Sequence, residues 1–186
     1  MTGPAQERWL LKGLGSSGAR WNVIAQQLMM SQYDYNPNQG KKFNTEAWDG
    51  YVASRNRILG YLLKRRPSNP IIITGDMHSS WVADLKADFR EPSSETVGVE
   101  FVATSITSKL SDSWIKSYEK ARNENPHVNY FDARSGGYVR CDLTPERWRL
   151  DLRLADSILD PQSPVRTIAS FVVENGNPGA QGETIS

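Results

Sequence analysis

The spacing of apolar residues changes near His127, and this change restricts the fold of the 186-residue chain more than any other feature. Upstream, apolar residues recur every three or four positions or form short uninterrupted runs, as in amphipathic helices and buried strands. Downstream they alternate with polar residues over Val139–Leu143 and again over Trp148–Leu154, after a turn at residues 144–147. Alternation of this kind is typical of antiparallel strands with one exposed face. The sequence therefore predicts an α/β fold that ends in an antiparallel meander.

Three segments upstream of His127 are predicted as strands and three as helices. The strand candidates are β-branched or alternating: the first half of Trp21–Met29, Ile71–Thr74 and Val97–Ala103. The helix candidates have apolar residues at helical spacing: Gly3–Leu14, a segment that begins near Asn44 or Thr45, and Ser111–Asn123. We expect the first strand to be buried and the second, which lies between proline and glycine, to be covered on both faces.

The last part of the chain divides into a strand and a tail. Residues Val165–Val173 are apolar enough to supply the next strand of the meander. Residues 175–186, NGNPGAQGETIS, contain few apolar side chains, so we predict a disordered tail there. No internal repeat or linker divides the preceding residues, and we predict one domain over residues 1–174.

The composition excludes several functions. A net charge of +1 argues against the clustered basic surface that nucleic-acid binding requires. The dense cationic group Lys64–Arg66 fits the end of a helix, where the helix dipole favours cations. One cysteine, Cys141, excludes an internal disulfide. The apolar runs are too short for a membrane span, and no export signal follows Met1.

The stretch PIIITGDMHSSW places a carboxylate and an imidazole, Asp76 and His78, directly after a predicted buried strand. Open α/β sheets bind ligands at the carboxyl ends of their strands. In an extended segment these two side chains point to the same side, and their oxygen and nitrogen donors suit a site of mixed metals. Alternatively, Asp76 caps a turn and His78 hydrogen-bonds to the backbone. The pattern alone leaves both interpretations open.

Other sequence patterns that could indicate a functional site are excluded by the residues around them. Residues Gly13–Gly18 have the glycine spacing of a dinucleotide-binding loop, but they follow a predicted helix and not a strand, which indicates a plain turn. Cys141 lies on the apolar side of a predicted strand, where a buried, unreactive thiol is expected. No G-x-S-x-G motif is present, which argues against a serine hydrolase.

Five blocks, taken together and in this order, resemble the alkaline phosphatase D (PhoD) family of metallophosphoesterases: AQERWL, ARWNVIAQQLMM, FNTEAWDGY, PIIITGDMHSSWVADLK and VGVEFVATSITS. A looser match continues to Trp148. The resemblance implies the carboxyl-terminal half of a layered αββα sandwich. It also implies a phosphoric ester hydrolase, either an alkaline phosphatase or a phosphodiesterase, that uses a water activated by a metal cluster, with calcium and iron as the expected metals.

The resemblance also assigns residues. The family's metal-site block corresponds to Gly75, Asp76 and His78, and of these Asp76 and His78 are the implied metal ligands. The WDGY block, Trp48–Tyr51, is interpreted as structural. For His127 a structural role at the edge of a strand is favoured over a role with metal or substrate.

The family's other ligands belong to an amino-terminal half that is not found here, and no Asn-His pair occurs in the sequence. We therefore expect this chain to supply only part of an active site and to be inactive by itself. The missing half of the same polypeptide would complete the site for a phosphate mono- or diester. It would also cover the strands near Trp21, Ile71 and Val97.

The family implies that the parent protein is exported to the periplasm or the cell exterior. The alternative to a hydrolase is a non-catalytic binding or assembly module that reuses the second half of the fold.

Overall fold

A computed structural model of the chain describes residues 2–36, 40–91 and 93–184. Its helices are α1 (Pro4–Ser16), α2 (Val52–Arg65) and α3 (Asp112–Ala121), with short 3₁₀ turns at Trp48–Tyr51 and Arg122–Glu124. Its strands are β1 (Asn22–Ala25), β2 (Pro70–Thr74), β3 (Ser80–Lys86), β4 (Thr96–Val102), β5 (Val128–Asp132), β6 (Gly136–Leu143), β7 (Arg147–Ala155), β8 (Val165–Glu174) and β9 (Asn177–Glu183). None of the helices in these described ranges is both long and apolar enough to cross a bilayer.

The first sheet is mixed, and its five strands have the order β1-β2-β4-β3-β5. Strands β1, β2 and β4 are parallel, whereas β3 is antiparallel to both β4 and β5. The three parallel strands therefore end at the same edge of the sheet. We call this sheet the mixed sheet.

The second sheet is an antiparallel meander of four strands in the order β6-β7-β8-β9. Its first hairpin pairs Leu143 with Trp148 and is closed by the amide of Thr144, which donates to the carbonyl of Arg147 at 2.9 Å. The alternation seen in the sequence places Leu150, Leu152 and other apolar side chains of β7 on the buried face. We call this sheet the meander.

Apolar side chains on the two faces of the mixed sheet pack against different partners. Ile72 packs with Ile58 and Leu59 of α2, whereas its neighbour Ile71 packs with Leu150 of the meander. Successive residues of a strand point to opposite faces, so each strand serves both cores. Burial of each such side chain contributes about 1.5–3 kcal/mol. The described residues thus form a helical layer, the mixed sheet and the meander in succession.

A third cluster is rich in aromatic side chains and lies beside α3. Trp81 of β3 is at its centre, 4.2 Å from Phe131 and 4.9 Å from Tyr33 between ring centroids. Tyr33 belongs to the irregular segment that follows β1, and its hydroxyl donates to the carbonyl of Tyr118 at 2.5 Å. The cluster therefore fixes an irregular segment against the sheet.

Several predictions from the sequence are confirmed. The α/β class, the antiparallel meander, the three upstream strands and the helices at α1 and α3 are all present. Strand β2 is covered on both faces as predicted, with Ile71 and Ile72 fully buried. The Lys64–Arg66 cluster lies at the end of α2, as expected.

Two predictions about elements upstream of the meander are wrong. Helix α2 begins at Val52 and not near Asn44, because Asn44 closes a turn in which its side chain accepts from the amide of Glu46 at 3.0 Å. A 3₁₀ turn follows, and at Gly50 a Cβ atom would approach the carbonyl oxygen of Thr45 to 1.9 Å. Strand β1 is an edge strand, so Val23 is 44 % exposed and not buried.

The predicted disordered tail is also wrong over residues 177–183, which form β9. Pairing between backbone groups of β9 and β8 supplies the stability that apolar side chains do not. Residues 185 and 186 of the predicted tail lie outside the described residues.

The expectation that strands near Ile71 and Val97 lack their cover fails as well. Ile71 is fully buried by the meander, and Val97 is 7 % exposed and packs in the core that α2 covers.

Candidate functional site

The carboxyl edge of the three parallel strands carries the candidate site. The turn Gly75–Ser79 leaves β2 at this edge, and the segment after β4 leaves beside it, where the amide of Ala103 donates to the carbonyl of Thr74 at 2.9 Å. The segment after β1 leaves the sheet beside the end of β2, since the amide of Gln26 donates to the carbonyl oxygen of Ile73 at 3.0 Å. Ligands bind at such edges because the loops that follow the strands diverge there.

The turn holds Asp76 and His78 in left-handed backbone conformations. Their φ angles are 64° and 49°, and the amide of Met77 between them donates to the carbonyl of Gly75 at 2.7 Å. Left-handed geometry costs a residue other than glycine roughly 1–2 kcal/mol, although aspartate and histidine tolerate it better than most. The predicted extended segment, in which both side chains point to one side, is therefore wrong, because the chain turns immediately after β2.

Neither side chain is engaged by the rest of the described protein. Both Asp76 and His78 are exposed, and among the described residues neither side chain has a hydrogen-bond or ion-pair partner. The alternative in which Asp76 caps a turn and His78 bonds to the backbone requires contacts that are not seen in this part of the chain. Strained backbone that presents free polar groups is a common feature of binding sites.

Contacts beneath the turn keep it in place. The hydroxyl of Ser79 donates to the carbonyl of Met77 at 2.8 Å and accepts from the indole of Trp81 at 2.8 Å. The Met77 side chain packs on the aromatic cluster. The turn is thus anchored by its inner residues while Asp76 and His78 face outward. No sequence pattern predicted the roles of Met77 and Ser79, although Met77 lies between Asp76 and His78 and Ser79 directly follows His78.

Hydroxyl groups from the segment after β4 lie at the same edge. The Ser105 hydroxyl accepts from the amides of Thr107 and Ser108 at 3.1 and 2.9 Å, which folds this segment into a compact turn. The carbonyl oxygen of Ser105 accepts from the amide of Gly137 at 3.2 Å, and a Cβ atom at the preceding Gly136 would lie only 2.9 Å from the same carbonyl oxygen. Glycine thus allows the meander to approach the candidate site closely.

His127 lies elsewhere, toward the opposite end of β3. Its Nε2 atom lies 2.7 Å from the carbonyl oxygen of Gln32, and its ring packs on Phe89 at 4.8 Å. Burial lowers the pKa of His127, so the neutral ring is favoured. With Asp84 and Lys86 it lines a cleft of about 360 Å³ that contains neither Asp76 nor His78. The two histidines therefore do not form one site in the described structure.

The metal-binding capacity of this chain is limited. Within the described ranges, no three or more histidine, cysteine, aspartate or glutamate side chains are grouped so that they could hold a metal ion. Asp76 and His78 have the oxygen and nitrogen donors that suit a mixed-metal site, and neither side chain has a competing hydrogen-bond or ion-pair partner in the part of the chain that the structure describes. Two such donors could fill only part of the coordination sphere of a metal ion, so a metal site here would need further ligands.

The fold and the strained turn define an α/β protein with a candidate ligand-binding site at the carboxyl ends of parallel strands. The chain belongs to the PhoD-like phosphatase family, whose sequence pattern matches residues 1–152. The family assignment made from the sequence is thereby confirmed.

Two similar proteins support this assignment. Alkaline phosphatase D of Bacillus subtilis (strain 168) is 37 % identical over 185 residues, which cover 96 % of this chain and 31 % of that protein. A solved structure described as "Structure of PhoD" is similar with a TM-score of 0.88 and 36 % identity, over 99 % of this chain and 35 % of that one. The chain thus spans about a third of the length of these relatives.

Proposed function

We propose that this chain supplies the carboxyl-terminal part of the active site of a phosphoric ester hydrolase, an alkaline phosphatase or phosphodiesterase of the PhoD type. In this proposal Asp76 and His78 are metal ligands, and the described layers are half of an αββα metallophosphoesterase sandwich. The observation that supports it best is the turn after β2, where two left-handed residues on either side of Met77 present a carboxylate and an imidazole that have no hydrogen-bond or ion-pair partner among the described residues.

The donor types suit the metals that the family implies. A carboxylate provides the hard oxygen that calcium prefers, and a neutral imidazole suits iron. When bound, such a cluster neutralises phosphoryl oxygens and lowers the pKa of a coordinated water. Asp76 would add a negative charge and an oxygen donor, and His78 a neutral nitrogen donor. The rigid anchoring of Met77 and Ser79 would hold both at fixed positions.

The site requires residues beyond this chain. Calcium takes about six to eight oxygen ligands, far more than Asp76 and His78 provide. We propose that the remaining ligands come from the rest of the same polypeptide, because the relatives are about three times as long as the matched region. The substrate would be a phosphate mono- or diester, and the complete protein would be exported, as its family implies.

The isolated chain is expected to be inactive. Without the other ligands it should not hydrolyse nitrophenyl phosphate esters, even when calcium and iron salts are added. The measurement is release of nitrophenol by the purified chain, with the complete relative as the positive control. Metal-dependent turnover by the 186-residue chain alone would contradict the partial site.

The ligand assignment is tested in a chimera that joins this chain to the amino-terminal part of its Bacillus relative. His78→Ala and Asp76→Asn should each lower bound metal and turnover together, by at least the roughly 10- to 100-fold that loss of a supporting residue costs. The thermal midpoint of the metal-free protein should change little, because neither side chain contacts the rest of the described chain. Bound metal is measured by elemental analysis.

The matched control is His127→Asn, which removes the other histidine and should leave metal content unchanged. Full metal stoichiometry in both turn variants would defeat the assignment. A folded chimera that never binds metal or turns over would instead favour the non-catalytic binding module, which the absence of a three-ligand group in the described residues also allows.

A further inference from the structure

Strand β4 carries a fully buried carboxylate, Glu100, in the middle of an apolar run. Its Oε1 atom accepts from the amide of Met30 at 2.8 Å and from the hydroxyl of Thr74 at 2.7 Å. Its Oε2 atom accepts from the amide of Ser31 at 2.7 Å. The side chain of Gln26 donates to Oε1 at 3.4 Å and to Thr74 at 2.9 Å. One carboxylate thus joins the end of β2 to the segment after β1.

These contacts match an ionised carboxylate. All four groups around Glu100 donate, and an ionised carboxylate only accepts. Burial raises the pKa of Glu100, while the hydrogen bonds from Met30, Thr74 and Ser31 act in the opposite direction. Burying a carboxylate is costly, so its position here calls for a role beyond filling space.

Glu100 holds the segment that follows β1, residues 26–35, and this segment contains no helix or strand. Other buried charges hold it from the opposite side. Arg55 donates to the carbonyl of Met30 at 3.4 Å and to the side chain of Gln32 at 3.1 Å. Asp49, which forms a buried ion pair with Arg55, accepts from the amide of Tyr33 at 3.1 Å. Side-chain contacts, and not regular secondary structure, therefore decide where this segment lies.

The same segment supports the strained turn. Met29 and Tyr33 line a small hollow together with Met77, the residue between Asp76 and His78. Thr74, the other partner of Glu100, lies two residues before Asp76. Glu100 thus reaches the turn by a direct route through Thr74 and by an indirect route through Met29 and Tyr33.

We propose that Glu100 is a positioning residue that holds the Asp76–His78 turn in its left-handed conformation by tying β2 to residues 26–35. Left-handed residues other than glycine persist only where the surrounding structure fixes them, and Glu100 provides that restraint at the candidate site. The importance of the turn rests on the proposed function, but the restraint itself is a property of this chain.

The test compares nuclear magnetic resonance spectra of the metal-free chain and of Glu100→Gln. Glutamine has nearly the same shape as glutamate, but its side-chain NH₂ group is a donor and would face the groups that now donate to Glu100. Hydrogen exchange at the amides of Met30 and Ser31 should become at least tenfold faster. The amide signals of Asp76–His78 and the imidazole signal of His78 should shift or broaden. A merely stabilising role would leave these turn signals in place.

The matched control is Asp151→Asn, which alters a buried carboxylate of the meander that is 1 % exposed. It should destabilise the chain without moving the turn signals. Thr74→Val breaks the direct route while retaining the side-chain shape, and it should also shift those signals, so the proposal can be tested if Glu100→Gln fails to fold.

Turn signals that match those of Asp151→Asn in both variants would overturn the proposal. Because these signals are read without metal, the result is independent of whether Asp76 and His78 bind it. Loss of the ligand assignment in the chimera and loss of the positioning role are therefore separate outcomes.

Discussion

The mixed sheet and the meander each bury a carboxylate, and the two carboxylates are compensated in different ways. In the meander, Asp151 accepts from Arg140 at 2.5 Å, from Arg149 at 3.1 Å and from Ser170 at 2.7 Å. In the mixed sheet, Glu100 accepts from backbone amides, a hydroxyl and a side-chain amide. Asp151 is thus balanced by opposite charge, whereas Glu100 is balanced by neutral donors.

The two carboxylates have different donors because they join different kinds of structure. Asp151 joins neighbouring strands of a regular meander, where cations at the surface can reach it. Glu100 joins a strand to an irregular segment, and backbone amides are the donors that such a segment can offer. A carboxylate balanced by cations strengthens a sheet that is already formed. A carboxylate balanced by amides decides the path of a loop next to a candidate site.

The largest expected effect tests whether the two sheets unfold as one unit. Leu152→Ala removes a fully buried side chain from the meander face that packs on the mixed sheet, and it should cost about 2–5 kcal/mol of unfolding free energy. If the sheets are cooperative, hydrogen exchange in β2 should accelerate together with that in β7. Urea denaturation and residue-resolved exchange measure this.

The control for this core substitution is Leu159→Ala, because Leu159 is 85 % exposed and should contribute little. Exchange in β2 that remains unchanged while exchange in β7 accelerates would show that the mixed sheet is stable without the meander.

The next prediction is that salt changes the stability contributions of the two buried carboxylates differently. Asp151→Asn and Glu100→Gln should each destabilise by about 1–3 kcal/mol, because each leaves buried donors poorly matched. Arg140 is 51 % exposed, so high salt should screen its attraction to Asp151. In about 1 M sodium chloride the cost of Asp151→Asn should shrink, whereas the cost of Glu100→Gln should persist. Equal salt dependence of both costs would remove the distinction.

A smaller effect concerns pH. Burial raises the pKa of Asp151, but the hydrogen bonds from Ser170 and Arg149 outweigh it and hold the pKa below 3.8. Its contribution is therefore present above pH 3.8 and is lost as pH falls through the lower folded-state pKa. Glu100 has a raised pKa, so stability should instead increase slightly as pH falls from that value toward 4.5.

Unfolding free energies of the wild type and Asp151→Asn, measured as a function of pH, check this sign. As pH falls below about 4, the unfolding free energy should decrease less steeply in Asp151→Asn than in the wild type. A variant with an unchanged acid slope would show that Asp151 titrates normally.

The smallest effect is expected at the surface ion pair between Arg66 and Glu95. These side chains are 70 % and 47 % exposed, so Glu95→Gln should change the unfolding free energy by less than about 1 kcal/mol. The measurement is the denaturant midpoint of Glu95→Gln, compared with the midpoint of Asp151→Asn. A loss as large as that of Asp151→Asn would mean that burial does not decide the strength of these pairs.

The parts of the fold that were predictable have patterns set by neighbours in sequence. The β-branched run of β2 and the alternation of β6 and β7 each specify a strand and its buried face. Strand β3 was missed because SWVADLK is buried on both faces and does not alternate. Strand β9 was missed because its residues are held by pairing with β8 and not by their own apolar character.

The candidate site was predictable in a similar way. The position of Asp76 and His78 follows from the buried strand before them, and the family blocks assign their type of chemistry. Their left-handed conformations were not predictable, because both residues more often adopt other conformations and the restraint comes from distant residues. Glu100 did leave a signal, since one charge in the apolar run TVGVEFV is unusual for a buried strand.

The sequence by itself determined the α/β class, the meander, the family and the two candidate ligands, because each depends on residues close together in the chain. Tertiary structure alone decided that β1 is an edge strand, that β9 is ordered, and that Glu100 supports the turn of Asp76 and His78. The contact between Glu100 and Met30 joins residues separated by 70 positions. Such contacts form only once the strands are aligned, and no local pattern of residues encodes the alignment.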